Sequence, residues 1–333
     1  MTIKDISAQT GYSVGTISRV LNNQPNVSEK ARTVILAAAE ASGFQLNTNA
    51  KQLKQQRTNA ILAVVKGISN RLFGSLLEAL QARVADLPYP LIVDYLDEDA
   101  NEVLRGAQLF REKKPQGILF LGGNKENFLA DFHRIDAPCV LITGDASQLQ
   151  LTNLSSVTMD DRQAGFLAIE HLSKLGHRRI AVIGGHRDNS DITQLRFEGC
   201  LEAMRQYGIP FDETKDYYAG RYSFADGYKA AVSMAPDRGY TAVFAMADVM
   251  AIGAIRGLRD LGLRVPEDIS VIGIDGLVPG DYIVPRLTTI RQSLDALADN
   301  SISLLLQQFQ GRHEAHHQTI VPIVDVKEST RAI

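Results

Sequence analysis

Three groups of residues carry side chains whose type and spacing could do chemistry. The first is the run Ser13-Val14-Gly15-Thr16-Ile17-Ser18-Arg19-Val20-Leu21-Asn22. Wound as a helix, it turns Ile17, Val20 and Leu21 to one side and Val14, Gly15, Thr16, Ser18, Arg19 and Asn22 to the other. Short hydroxyl and amide side chains suit phosphate contacts at close approach. An arginine such as Arg19 can fork onto the O6 and N7 of a guanine, worth about 1–3 kcal/mol of discrimination, and Val14 can press on a thymine methyl. A surface helix that merely happens to be polar is the plain alternative. The second is Leu53, the one large apolar side chain in the polar, basic stretch 47–57. The third is His313-Glu314-Ala315-His316-His317, which fits the H-E-x-x-H pattern of zinc peptidases. That chemistry needs both histidines one turn apart on a helix, with the glutamate beside the metal. Here the segment follows Gly311 and precedes the strand-like Thr319-Ile320-Val321, so an exposed loop without metal is expected. Gly122-Gly123 and Gly184-Gly185 end strands without forming G-x-G-x-x-G or a P-loop, and no serine or cysteine nucleophile has an evident partner. Neither catalysis nor a cofactor is expected.

Short helices must position the first group. Thr2 can cap a helix that ends at about Thr10, with Gly11 supplying a left-handed turn. Ser13 then caps a second helix through about Asn22, and Ser28 caps a third that ends before Gly43. Ala31, Val34, Ile35 and Ala38 form the apolar side of that third helix, and Ile6, Ile17, Val20, Leu21 and Val27 complete a core. Two helices across a tight glycine turn have the spacing of a helix-turn-helix, whose second helix enters the major groove. Residues 47–57 could form a helix, but one so polar is marginal alone in water and would order mainly on a partner; a linker with one incidental leucine is the alternative.

Beyond Ala60, β-rich runs alternate with helical stretches. Strands are expected at residues 61–65, 91–95, 117–121, 139–142, 179–183, 241–245 and 269–274, with helices between them such as 72–86, 102–112, 163–175, 194–207 and 225–234. Alternation of this density means βαβ units and parallel sheets covered on both faces. Open parallel sheets bind ligands at the carboxyl ends of their strands, so a cleft between two of them is the expected site.

Composition agrees with this division. The chain has 333 residues, 45% of them apolar, enough for more than one core. Its net charge of −3 is uneven: residues 1–60 hold seven Lys/Arg and three acids, leaving the remainder at −7. A basic head on an acidic body suits a polyanion bound at one end. No apolar run approaches the roughly 18–20 residues of a membrane span, and the first residues lack the pattern of a signal peptide. The two cysteines, Cys139 and Cys200, lie far apart in apolar or helical contexts, as expected of buried thiols in a cytoplasmic protein.

Residues 3–22, followed by Val27-Ser28-Glu29 and Gly43-Phe44, resemble the head of the lactose-repressor (LacI/GalR) family. The likeness continues through residues 157–161, Leu175-Gly176-His177-Arg178-Arg179-Ile180, Arg196-Phe197-Glu198-Gly199, residues 262–273, Leu287-Thr288-Thr289-Ile290 and Glu328-Ser329-Thr330. It implies an α/β protein: a small all-α helix-turn-helix head (1–45), a hinge helix (46–58), and a two-lobed body like the periplasmic sugar-binding proteins (59–333). Lobe 1 would span about 59–158 and 290–319, and lobe 2 about 159–289 and 320–333. By the same resemblance Val14, Gly15 and Arg19 read bases, while Ser13, Thr16, Ser18, Asn22 and Ser28 hold phosphates. Asn47, Ala50 and Leu53 would lie in the minor groove, where a leucine from each subunit wedges into a base step. Effector positions carried over are Asn70, Phe73, Asp161, Arg196, Tyr222 and Asp275. The chain departs from the family at Gly15, where a larger side chain is usual, at Leu46 and Arg71, where proline is usual, and at Asp161 and Ala247, where asparagine is common.

The resemblance implies a repressor that binds a palindromic operator as a homodimer, or as a tetramer, under the control of a small metabolite. An arginine and a carboxylate can grip vicinal hydroxyls while an aromatic covers an apolar face, which favours a sugar or sugar phosphate over a nucleoside or base. Two rival classes fare worse. A solute-binding protein predicts a signal peptide and no basic head, and a nucleotide-dependent enzyme predicts a phosphate loop or catalytic pair.

Overall fold

The computed structural model describes residues 3–21, 27–42, 58–68, 70–187, 191–234, 239–311 and 314–333. The chain divides into two compact units, 1–57 and 58–333. The expected hinge positions Asn47, Ala50 and Leu53, and Asn22 of the head, lie outside the described residues.

The first unit contains three helices, α1 (Ile3–Thr10), α2 (Val14–Leu21) and α3 (Glu29–Ala41). Gly11 takes φ +72°, a conformation glycine adopts without a Cβ clash, and reverses the chain between α1 and α2. The Ser28 hydroxyl accepts the Ala31 amide and starts α3. Ile6, Ile17, Val20, Ala31, Ile35 and Ala39 form the core, with Tyr12, Leu21, Val27 and Ala38 against it. Val34 is not part of it. It is 41% exposed, because α3 buries the stripe Ala31–Ile35–Ala39, spaced four residues apart.

The second unit holds two six-stranded sheets. The first contains β1 (Ile61–Lys66), β2 (Leu91–Leu96), β3 (Gly117–Leu121), β4 (Cys139–Ile142), β5 (Leu154–Met159) and β11 (His317–Ile320), in the order β11-β5-β4-β3-β1-β2. The second contains β6 (Ile180–Gly184), β7 (Tyr217–Ala219), β8 (Ala242–Ala245), β9 (Ser270–Asp275), β10 (Thr288–Arg291) and β12 (Ile323–Asp325), in the order β12-β10-β9-β8-β6-β7. Every pairing is parallel except β10 with β12. The seven strands expected from the sequence are all present, shifted by one residue at most. The five others are short, exposed or rich in hydroxyls.

The helices that concern the site are α4 (Arg71–Val84), α5 (Glu102–Lys113) and α6 (Lys125–Asp131) beside the first sheet, and α7 (Asp161–Lys174), α8 (Asp191–Gln206), α9 (Phe224–Ser233) and α10 (Asp248–Asp260) beside the second. A further helix, α11 (Leu294–Phe309), returns to pack on α4 and β5. The chain thus passes between sheets after β5, after β10, and between β11 and β12. The parallel sheets are covered on both faces, and their strands are nearly continuous apolar runs such as Ile61–Lys66 and Gly117–Leu121. Cys139 and Cys200 are buried free thiols, and burial pushes both thiol pKa values up. No helix among the described residues is long and apolar enough to cross a membrane.

Candidate functional site

In the head, the outer face of α2 gathers the expected base-reading positions. Ile17 and Val20 point into the core, which leaves Val14, Gly15 and Arg19 exposed on the opposite side. Ser13 is partly committed: its Oγ accepts the Thr16 amide at 3.2 Å and shares a hydrogen bond with Thr16 Oγ1 at 2.9 Å. Ser28 likewise caps α3. Both serines therefore sit at helix N-termini, where backbone N–H groups favour an anion.

In the body, a cleft of about 330 Å³ opens between the two sheets, and the turns after their strands form its walls. Lys66 ends β1 and Gly67 follows it, Glu98 and Asp99 follow β2, and Gly122 and Thr143 follow β3 and β4. From the other lobe, Gly185 and His186 follow β6, Arg221 and Tyr222 follow β7, and Asp275 ends β9. This is the carboxyl edge of both doubly wound sheets. Close approach is allowed by glycine at two points. A Cβ on Gly122 would meet the Phe73 ring at 2.9 Å, and one on Gly185 would meet Thr193 Oγ1 at 2.7 Å.

Arg196, from α8, is the centre of the second lobe's wall and is almost wholly buried. Its Nε donates to Asp161 Oδ1 at 2.8 Å, its Nη1 to the Met246 carbonyl at 2.5 Å, and its Nη2 lies 3.8 Å from Asp275 Oδ1. Burial works against its charge, but Asp161 and Asp275 more than offset this and raise its pKa. Burial pushes the Asp161 carboxyl up despite Arg196. Asp275 is held with φ +127°, an uncommon conformation for a non-glycine residue, and its carboxylate accepts Gln292 Nε2 at 2.7 Å. Burial pushes its pKa up to about 6. Behind it, Asp248 accepts Thr289 Oγ1 at 2.6 Å and the Leu277 amide at 2.7 Å. Burial, reinforced by the Asp275 charge, pushes Asp248 up to about 8. Tyr222 shares a 2.7 Å hydrogen bond with Thr193 Oγ1.

The first lobe's wall is simpler. Asn70 caps α4 through the Leu72 amide at 3.1 Å, and Leu72 and Phe73 present an apolar surface. Lys66 donates to Glu102 at 2.7 Å, and the fully buried Glu102 also accepts the Asn124 amide and Asn127 Nδ2. Across the mouth, Arg221 bridges to Glu98 at 2.8 Å and Asp99 at 2.7 Å, tying the lobes together.

Of the expected effector positions, Asn70, Phe73, Arg196, Tyr222 and Asp275 all line this cleft, whereas Asp161 does not: it stands behind Arg196 and holds it. Lys66, Thr143, Thr193 and Arg221 were not anticipated. Lys66, Thr143 and Arg221 lie at or near the end of a strand, a positional signal, but only the assembled sheets tell those ends from other loops; Thr193 lies in the first turn of α8. His317 begins β11, with Nδ1 2.8 Å from Ser156 Oγ, so this part of the H-E-x-x-H segment is not helical. No group of metal-ligating side chains is found among the described residues.

A helix-turn-helix head joined to two parallel-sheet lobes around a polar cleft defines a class of regulator. Residues 2–47 match the family described as bacterial regulatory proteins, lacI family, and residues 169–330 the periplasmic binding protein-like domain. The transcriptional regulator MalR of Clostridium butyricum is 30% identical over 321 residues, covering 95% of this chain and 95% of its own. The regulator DegA of Bacillus subtilis (strain 168) is 29% identical over 322 residues, covering 96% and 95%. Among solved structures, the Lac repressor dimer bound to operator and the anti-inducer ONPF superimposes with a TM-score of 0.85 at 24% identity, over 100% of this chain and 99% of that one. A LacI-family regulator from Enterococcus faecium with bound ribose has a TM-score of 0.72 at 25% identity, over 82% and 99%. The chain belongs to the LacI family of transcription regulators and is not an enzyme.

Proposed function

We propose that this chain is a cytoplasmic repressor that binds a palindromic operator as a homodimer, with its DNA affinity set by a small polyhydroxylated metabolite in the cleft. The outer face of α2 carries this reading, because Val14, Gly15 and Arg19 stand together there over a closed three-helix core. They would read bases, with Ser13, Thr16, Ser18, Asn22 and Ser28 on the flanking phosphates. Residues 46–58 are the hinge, and Leu53 with Asn47 and Ala50 its minor-groove contacts. Residues 59–333 bind the effector and the second subunit. Val278, Tyr282 and Val284, all more than 60% exposed in one stretch of the second lobe, support an apolar self-association surface. In the cleft, Arg196 and Asp275 would grip hydroxyls, with Phe73 and Tyr222 against the carbon skeleton and Asn70 at the edge; Asp161 positions Arg196. The ribose held by the Enterococcus faecium regulator supports a sugar. Ligand and DNA then change each other's affinity by the same factor, typically 1–3 kcal/mol.

Gel shift on the DNA upstream of the chain's own gene, over a range of salt, tests this. The full chain should bind with a steep salt dependence. Arg19→Ala should weaken specific binding by about 1–3 kcal/mol and relax one base position. A chain lacking residues 1–57 that shifts the DNA as well as the full chain does would overturn the reading.

A further inference from the structure

The cleft's lysine and arginine side chains already have partners. Among the described residues, three cations of the wall have ionic partners: Lys66 with Glu102, Arg196 with Asp161 and Asp275, and Arg221 with Glu98 and Asp99. The one further basic side chain on the wall is His186, which is exposed. Six carboxylates thus pair with three cations, and the excess of acid is greatest at the mouth, where Asp97, Glu98 and Asp99 follow one another and Arg221 is the single counter-charge. A phosphate entering here would meet no unshared lysine or arginine on the described wall and would lie beside the Glu98 and Asp99 carboxylates. Glu98 is about one third exposed and Asp99 about two thirds, so their repulsion acts through partly solvated charges; placed against an anionic ligand they select for its uncharged form.

A second observation points to what the cleft does accept. Thr143, at the end of β4, lies on the wall with φ +68°, an outlier for a β-branched residue. Its backbone is pinned by a hydrogen bond from its amide to the Val157 carbonyl. Its Oγ1 is buried and has no hydrogen-bond partner. Two other described side-chain atoms share that condition, Ser301 Oγ and Gln308 Oε1, and both lie on α11 away from the cleft wall. Strain and an unpaired hydroxyl both cost stability, and together at a cleft wall they mark a position completed by a ligand.

We propose that the cleft selects an uncharged polyhydroxylated ligand and rejects its phosphate esters, with Glu98 and Asp99 as the excluding element and Thr143 as a hydrogen-bonding partner of a ligand hydroxyl. This rests on the reading of the cleft as the effector site.

The experiment uses the full chain, with thermal shift and calorimetry against neutral sugars (ribose, glucose, cellobiose) and nucleosides, and against ribose 5-phosphate, glucose 6-phosphate and inorganic phosphate. An uncharged member should raise the melting temperature saturably, and its phosphate ester should bind at least about tenfold more weakly. Glu98→Gln with Asp99→Asn removes two carboxylates from the wall, leaves Arg221 only its 4.0 Å contact with Asp97, and should narrow that gap. Thr143→Val should weaken the neutral ligand about tenfold or more while the melting temperature without ligand does not fall, and Thr143→Ser should restore binding. A merely structural hydroxyl would do the reverse, lowering the melting temperature and sparing affinity. The proposal is overturned if a phosphate ester or inorganic phosphate binds the unaltered chain better than every neutral compound, or if no neutral polyol binds. Gel shift without ligand is read separately. A chain that binds DNA and responds to a phosphate ester keeps its role as a regulator and loses this ligand class; a chain that fails to bind DNA loses the former whatever the ligand panel shows.

Discussion

The two lobes wind their first five strands in the same order, β2-β1-β3-β4-β5 and β7-β6-β8-β9-β10, yet they turn different surfaces to the cleft. The second lobe offers a buried polar network: Arg196 held by Asp161 and Met246, Asp275 held by Gln292, and Asp248 held by Thr289 and Leu277. The first lobe offers the apolar pair Leu72 and Phe73, one ion pair, and Thr143. One strand order therefore serves two tasks. A network fixed before binding can grip polar groups without reordering, while an apolar cover gains from burial whatever the ligand's orientation. Fold alone therefore does not settle which lobe anchors a ligand; the partners of its buried charges do.

Removing the central cation of each lobe should break this comparison or confirm it. Arg196→Met leaves Asp161 and Asp275 buried without their counter-charge, so a loss of about 3–5 kcal/mol is expected in chemical unfolding of the full chain. Ligand binding should vanish with it. Lys66→Met is the matching change in the first lobe. Glu102 would keep the Asn124 amide and Asn127 Nδ2 as donors, and Lys66 is itself 14% exposed, so the loss should be smaller, about 1–3 kcal/mol. Equal losses would mean that the two walls are not organised differently.

The sequence was most informative where local chemistry settles structure. Gly11, Ser13 and Ser28 punctuate the head because turn and cap geometry depend on a few adjacent residues. Val34 was misplaced because periodicity alone allows either Ala31–Val34–Ile35–Ala38 or Ala31–Ile35–Ala39, and the packing of three helices chooses. In the body, apolar runs revealed the central strands. β5 (Leu154–Met159) was not among the expected strands, because two serines interrupt its apolar run; in the fold Ser155 accepts Gln308 Nε2 and the His316 amide, contacts more than 150 residues distant. The cleft followed the same rule. Asn70, Phe73, Arg196, Tyr222 and Asp275 could be placed by family resemblance, but Asp161's position behind Arg196 depends on two helices packing at Gly165, where a Cβ would lie 1.9 Å from the Arg196 carbonyl oxygen. The Arg221 bridge joins residues 122 positions apart, and nothing local announces it.

The buried acids give the smallest effect and a sharper test of the second lobe, because their signature is a dependence on pH. Asp248 has its pKa raised to about 8 and Asp275 to about 6, mainly by burial. In the unfolded chain both would ionise near the ordinary value of about 4. The folded state therefore holds more protons than the unfolded state above that pH, and stability falls as pH rises from about 4 to about 8. The unaltered chain should lose about 2–4 °C of melting temperature between pH 6 and pH 9 on this account. Asp248→Asn isolates the contribution. An asparagine has the shape of the neutral acid; its oxygen can accept the Leu277 amide, and its nitrogen can donate to Thr289 Oγ1, so both present contacts survive. At pH 6 the variant should melt close to the unaltered chain, and by pH 9 it should melt higher, because no charge then forms beside Asp275. If the difference between the two stays constant across that range, Asp248 is ionised in the fold at neutral pH, and the second lobe's wall carries one more negative charge than the arrangement described here.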